Sequence, residues 1–181
     1  MTSKEFKEKW ILTDNDLHLF TKASVDNLDI AESEKEFLFL SGLPSNCAPF
    51  IGFGDSSNPK LEKLADVWDL DSSFENLFII GSDGSGDPIC VENRSGKILT
   101  FNHDEDFEEI FMNSSLHQLA EFLLLTREGI SMIRAKYDSD AIWDESRATE
   151  IKKVYRDKFA QVDANAIGDG KFWDCIFEVA E

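Results

Sequence analysis

The sequence predicts an α+β domain in which an antiparallel sheet of about five strands packs against helices. Between residues 49 and 102, short apolar runs alternate with turn residues, which is typical of a β meander. On both sides of this region apolar residues recur at helical spacing. The composition favours a packed core, because 42% of the 181 residues are hydrophobic and 15 are Phe. A chain of this length fits one domain, and we expect residues 1–181 to form it.

Three helices are predicted before the sheet. Residues 3–10 form the first, and residues 13–23 form a second that opens with a Thr13 cap. Residues 31–41 form the third, with acidic residues in the first turn, large apolar residues late, and a stop at Gly42.

Five apolar runs are predicted to be strands, because they are rich in β-branched and aromatic residues. They are PFIGF (49–53), KLADVWDL (63–70), NLFIIGS (76–82), DPICVE (87–92) and KILTFN (97–102). The turns at 83–87 and 93–97 are typical of hairpins. We expect positive φ at Gly84, Gly86 and Gly96, where glycine has little steric cost.

Helical spacing returns after the sheet. The acidic run at 103–109 is typical of a solvated helix start, and Ser114 is predicted to cap a helix that covers the sheet. Residues 140–160 are expected to form one amphipathic helix and residues 171–180 a final short one. The 140–160 helix gathers four basic residues toward its C-terminus, where they would complement the helix dipole: Lys152, Lys153, Arg156 and Lys158.

The turn DGSGD (83–87) was tested for metal or phosphate chemistry. An EF-hand loop counted from Asp83 would place Pro88 where the loop needs Gly and Arg94 where it needs Glu. A P-loop needs a Lys followed by Ser or Thr opening a helix, whereas this turn leads into a strand. A hairpin bend is therefore expected, and a weak cation site stays open as the alternative.

No catalytic residue, metal site or cofactor is expected. The sequence contains no GxSxG motif, no CxxC motif and no metal-ligand spacing of its three His residues. His103 precedes Asp104, and such a pair could orient an imidazole for base catalysis, but the pair is more typical of a solvated loop end. His18 and His117 lie in segments predicted to be helical. The three cysteines are predicted to be core thiols.

Charge limits the partners that the chain can bind. Asp and Glu total 36 against 18 Lys and Arg, and residues 62–109 alone carry 13 acidic and 3 basic residues. Such a surface repels phosphate backbones and favours encounter with a basic protein, although acidity can also serve solubility alone. No apolar run is long enough to span a membrane, and the N-terminus does not have the pattern of a signal peptide. We therefore expect a cytoplasmic protein that binds neither nucleic acid nor membrane.

The order of these features resembles the SUKH superfamily, which includes the Smi/Knr-like proteins. The resemblance covers about residues 31–130, and FWDCIFEV near the C-terminus fits it too. We expect 31–130 to be the core of a SUKH-like domain and 131–181 a C-terminal helical elaboration. The resemblance is carried by a helix that ends in GLP and by the segments PFIGF, LADVWDL, IIGSDGSGDPICVE, SGKILTFNHD and NSSLHQL.

The resemblance implies a function in protein binding. Members are mostly bacterial immunity proteins that neutralise toxin domains, many of them nucleases, of contact-dependent or polymorphic toxin systems. It brings no catalytic residue with it. A cationic toxin would meet the acidic segment, with Trp68 as an aromatic anchor or, alternatively, as a core residue. The expected partner-binding residues are Asp66, Trp68, Asp69, Asp83, Asp87, Asp104, Glu105 and Asp106.

Two other functions stay open from the sequence. Eukaryotic relatives in the superfamily regulate cell-wall synthesis, which implies a ligand-binding or scaffold protein with an aromatic pocket in the concave face of the sheet. A carboxylate-dependent hydrolase would need two converging carboxylates in a cleft. The oligomeric state, the identity of the toxin and the role of residues 131–165 are not determined by the sequence.

Overall fold

The computed structural model describes residues 1–11, 16–54 and 58–180, and shows the predicted α+β fold. A large antiparallel sheet has six strands, one more than expected, and a second sheet pairs two short strands. The small sheet joins β1 (Leu17–His18) to β2 (Leu43–Pro44). The strands of the large sheet are β3 (Gly52–Phe53), β4 (Glu62–Lys63), β5 (Leu77–Ser82), β6 (Pro88–Glu92), β7 (Ile98–Asn102) and β8 (Glu108–Asn113).

Strands β5 to β8 form a meander in which each strand pairs with the next. Ile79 lies opposite Cys90, Cys90 opposite Leu99, and Leu99 opposite Phe111. The short strands β3 and β4 both pair with β5, one at each end of it. Chain connections therefore alternate between the two ends of the sheet.

In the described ranges, six α-helices and several short helical turns surround the sheet. The α-helices are α1 (Ser3–Ile11), α2 (Lys22–Val25), α3 (Glu32–Glu36), α4 (Leu64–Trp68), α5 (Leu116–Arg134) and α6 (Thr149–Val162). A π-helical turn, Phe37–Ser41, extends α3, and 3₁₀ turns occupy Ser72–Phe74, Ser139–Ile142 and Ala164–Ala166. No helix in the described ranges is long and apolar enough to cross a membrane.

The helix predictions are confirmed in part. The first helix and the 31–41 helix form as expected, and the helix after β8 is capped by Ser115 instead of Ser114. The predicted helix 13–23 is wrong over its described residues, which contain β1 and α2, and its Thr13 cap lies outside them. Consequently His18 lies in a strand, whereas His117 is helical as predicted.

Three further predictions are corrected. The 63–70 run folds mainly as α4, because its buried Leu64 and Ala65 and its ring at Trp68 follow helical spacing. The 103–109 run forms a turn and the start of β8.

The 140–160 segment contains a 3₁₀ turn before α6 starts at Thr149. Lys152 therefore lies near the start of α6 and is fully buried, so the predicted pairing with a C-terminal dipole is wrong for it.

Both faces of the large sheet are covered by other parts of the chain. Because successive strand residues point to opposite faces, Ile89 and Val91 enter the main core while Cys90, between them, enters a smaller second core. The main core includes the buried face of α5. The second core packs α4 onto the other face through Leu64. Cys90 is thus the core thiol that was predicted, but Cys47 is half-buried and Cys175 is exposed.

The C-terminal region shares the main core. The Phe122 ring of α5 stacks on the Phe159 ring of α6 at 4.3 Å, and both contact Trp173. The predicted helix at 171–180 does not form, since residues 172–177 are turns and Phe177 has a positive φ of 59°. The Phe172 amide donates to the Phe111 carbonyl on β8 at 3.1 Å, which ties the C-terminal turns to the outer strand.

Replacing Phe159 by Ala should lower the free energy of unfolding by about 3–5 kcal/mol, because it empties the space between three aromatic rings. Val154→Ala on the same helix is the control, since Val154 is 52% exposed and should change stability by less than about 0.5 kcal/mol. Urea denaturation of both variants measures the difference. Equal effects would show that α6 is not part of the main core.

Candidate functional site: the acidic end of the sheet

Two acidic turns meet at one end of the large sheet. The turn 83–87 joins β5 to β6, and the turn 103–107 joins β7 to β8. Because connections alternate in an antiparallel meander, both lie at the same end, and the 93–97 turn lies at the opposite end. We call the two turns, together with Asp66, Trp68 and Asp69 of the α4 region, the acidic end.

The 83–87 turn is a hairpin, as predicted. The Asp83 carboxylate accepts hydrogen bonds from the Ser85 and Asp87 amides at 2.9 and 3.0 Å. Gly86 has the expected positive φ of 89°, but Gly84 does not, so that part of the prediction is wrong. The Asp83 side chain therefore organises the turn from within.

His103 fastens the two turns to each other. One carboxylate oxygen of Asp87 accepts the His103 amide at 3.0 Å and lies 2.6 Å from the His103 ring Nδ1. The other ring nitrogen, Nε2, lies 3.6 Å from an Asp104 carboxylate oxygen. The hydrogen bond to Asp87 raises the pKa of His103 above its ordinary value of 6.5, and the nearby charge of Asp104 acts in the same direction.

Aromatic rings support this pair of turns. The Trp68 ring lies 5.5 Å from the His103 ring and 5.2 Å from the Phe107 ring, measured between centroids. The centroid of the Phe74 ring lies 6.0 Å from that of the Phe107 ring. Trp68 is 39% exposed, so the alternative of a core residue is wrong and its outer part is available for contact.

The predicted partner-binding residues belong to the acidic end, but only some of them take part in the contacts around His103. Trp68, Asp83, Asp87 and Asp104 belong to one contact network through His103. The other four are neighbours of that network in sequence: Asp66 and Asp69 flank Trp68, and Glu105 and Asp106 follow Asp104. The exposed carboxylates of the acidic end are Asp66, Asp69, Asp104, Glu105 and Asp106.

The fold keeps the basic residues of the segment 62–109 away from the acidic end. Residues 62–109 contain three basic residues. Arg94 and Lys97 lie in or beside the turn at the opposite end of the sheet, and Lys63 is half-buried on β4. The acidic end thus presents carboxylates and one large exposed aromatic ring.

The chemistry of this arrangement is structural and electrostatic. An Asp beside a His can orient an imidazole for proton transfer, but here the second ring nitrogen faces another carboxylate. Within the described part of the chain, no group of three or more His, Cys, Asp or Glu side chains is arranged to hold a metal. The contacts of His103 with Asp87 hold the 83–87 and 103–107 turns in a fixed position relative to each other.

A groove of about 1020 Å³ lies elsewhere, between α1, α5 and α6. The described residues that line it include no Phe, Tyr or Trp, and they do include the carboxylates Glu5, Glu121 and Glu128. This groove therefore does not match the aromatic pocket that a ligand-binding regulator was expected to have.

Sequence reasoning missed Phe107 and Phe74 as parts of the site. The signal was present in the aromatic residue that follows four polar residues in HDEDF. It was obscured because the acidic run was interpreted as a solvated helix start.

We expect the stability difference between the wild type and His103→Gln to depend on pH. Because the folded-state pKa of His103 is raised, its stabilising effect is fully present below about pH 6.5 and is lost as the pH rises through that raised pKa. Urea denaturation at several pH values between 5 and 9 measures this. Asp87→Asn should remove the same pH dependence, and a difference that grows with pH would contradict the assignment.

Comparison with known proteins identifies the family. The sequence model of SUKH-4 immunity proteins matches residues 8–179 of the 181, which includes every residue of the acidic end. No curated protein and no solved structure gives a significant match. The match extends the resemblance seen at 31–130 to almost the whole chain. The chain therefore belongs to the SUKH-4 immunity protein family.

Proposed function

We propose that this immunity protein neutralises a cognate basic toxin domain, such as a nuclease, in the cytoplasm by covering it with the acidic end and without catalysis of its own. Membership in the family means that the function is immunity against a toxin. The basic nature of the toxin, its chemistry and the contact surface are our proposal.

The observation that carries the proposal is the Asp87–His103 contact between two acidic turns. A binding surface made of loops normally loses conformational freedom when it binds, and this loss weakens affinity. Here the hydrogen bonds of Asp83, Asp87 and His103 fix the loops before the partner arrives. Such preorganisation is typical of a recognition surface.

Charge supports a basic partner. A nuclease must attract phosphate groups, so its cleft tends to be cationic, and a carboxylate-rich surface is complementary to it. The exposed carboxylates would speed the encounter, and Trp68 would add buried contact area once the complex forms. A competing role of the acidity in solubility alone would not require the charges to gather around an exposed Trp.

The whole chain is proposed to act as one unit. The buried cluster that supports the sheet extends from Phe6 in α1 to Phe177 near the C-terminus. We therefore propose a single domain for residues 1–181, in which the C-terminal segment supports the acidic end through the shared core.

Neutralising two exposed carboxylates, with Glu105→Gln and Asp106→Asn together, should lower the association rate constant with the cognate toxin domain. We expect a decrease of about three- to tenfold at low salt, because the lost charges steer the encounter. Stopped-flow kinetics at low and high salt would measure it, and the difference should nearly vanish near 0.5 M salt, where the Debye length is only a few ångströms.

The matched control is Asp29→Asn with Glu32→Gln. Both residues are exposed, the Asp29 amide is bonded to Asn93 in the turn at the opposite end of the sheet, and Glu32 begins α3 three residues later. This pair changes the net charge equally and should leave the rate within about twofold. Equal slowing by both pairs would show that the overall charge, and not the acidic end, attracts the toxin.

A further inference from the structure

We infer that Phe50 and Trp143 form an aromatic anchor that extends the acidic end and accepts a cationic side chain, most suitably arginine, of the toxin. This inference rests on the proposed function and assigns a role to the segment after α5, which the sequence left without one. The pair lies outside the predicted binding residues.

The two rings form an exposed stack. Their centroids are 5.8 Å apart with an interplanar angle of 13°, although the residues are far apart in the sequence. Phe50 is 68% exposed and Trp143 is 46% exposed. Large aromatic residues are usually buried, and where they are exposed together in a rigid arrangement they are typical of the centres of protein interfaces.

The stack adjoins the acidic end directly. A methyl group placed on Gly84, in the 83–87 turn, would lie 2.8 Å from the Phe50 Cβ. Asp87 of the same turn contacts His103, and His103 contacts Trp68. The contacts thus form a continuous path from Trp68, across the turn, to Phe50 and Trp143.

The segment that carries Trp143 is braced on both sides. Before it, the Asp138 carboxylate accepts two hydrogen bonds from the Arg147 guanidinium at 3.0 and 2.7 Å. After it, the buried Lys152 donates from Nζ to the Asp144 carbonyl at 2.8 Å. Trp143 is therefore held in place without a partner, which lowers the entropy cost of binding.

The backbone at Phe50 supports a functional role. Its φ of 79° lies in the left-handed region, which is unfavourable for a residue with a large side chain. Strained residues of this kind cluster at binding sites, where other contacts maintain them. The Phe50 ring lies against Trp143 and outside the core.

The surroundings select a cation as the occupant. Asp140, Asp144 and Glu145 are exposed and lie within three residues of Trp143. A guanidinium group can stack on an indole ring while it donates hydrogen bonds to a neighbouring carboxylate. A second copy of this chain, with its net charge of −18, and an anionic membrane would both be repelled by these carboxylates.

Binding of the 181-residue chain to its cognate toxin domain tests the inference. Trp143→Ala should raise the dissociation constant by about 30-fold or more, which is the effect of a typical hot spot. Phe50→Gly should act in the same direction, and glycine tolerates the positive φ. Both losses should appear mainly as faster dissociation.

Two further variants serve as controls, and a third tests the position of Phe50. Trp143→Phe retains a stacking ring and should recover most of the affinity. Leu40→Ala removes a side chain that is 52% exposed on another helix and should change the affinity by less than about twofold. Gly84→Ala should weaken binding without removing any contacting group, because its methyl displaces Phe50. Urea denaturation of each variant would show that the fold persists.

A double-mutant cycle identifies the cation. Each exposed arginine of the toxin domain is replaced by Ala and tested against the wild type and Trp143→Ala. For one arginine, replacement by Ala should reduce the affinity for Trp143→Ala at least fivefold less than it reduces the affinity for the wild type. If no arginine is coupled to Trp143, or if Trp143→Ala binds like the wild type, the inference is wrong while the proposed function stands. If the wild type itself does not bind the toxin domain, both fail.

Discussion

The hydrogen bonds between Asp87 and His103 connect two turns that the sheet alone would leave independent. The meander brings the 83–87 and 103–107 turns to the same end, but strand pairing stops before either turn begins. Asp83 shapes the first turn, Asp87 reaches to the second, and Trp68 packs on the ring of the connecting histidine. Without this connection the carboxylates would lie on two independent loops, and binding would cost the conformational entropy of ordering them.

The order of the strands could be predicted because short-range physics determines it. Tight turns at 83–87 and 93–97 leave consecutive strands no choice except to pair, so the β5–β6–β7 meander follows from the sequence. That topology places the 83–87 and 103–107 turns at the same end, and the sequence predicted acidic residues of both turns, together with Trp68, as partner-binding residues. The connection through His103 was not predicted, because no local pattern indicates a hydrogen bond over 16 residues.

The errors share a physical cause, which is that tertiary packing decides between similar local patterns. Leu64 and Ala65 are buried one turn before Trp68, which fits α4, but the run also contains β-favouring residues and was interpreted as a strand. Near the C-terminus, Trp173 and Phe177 are buried as a helix would bury them, yet the positive φ at Phe177 makes the backbone a series of turns. The stack of Phe50 on Trp143 joins two distant segments and was not accessible from periodicity.

The outer strand β8 has a consequence for how the protein behaves at high concentration. An unpaired sheet edge is a template on which strands of other molecules can add. Here the Phe111 carbonyl is already occupied by the Phe172 amide, and Glu108 and Glu109 place two charges at the beginning of the strand. The same C-terminal turns thus cover part of the β8 edge, which disfavours strand addition by another molecule at that point.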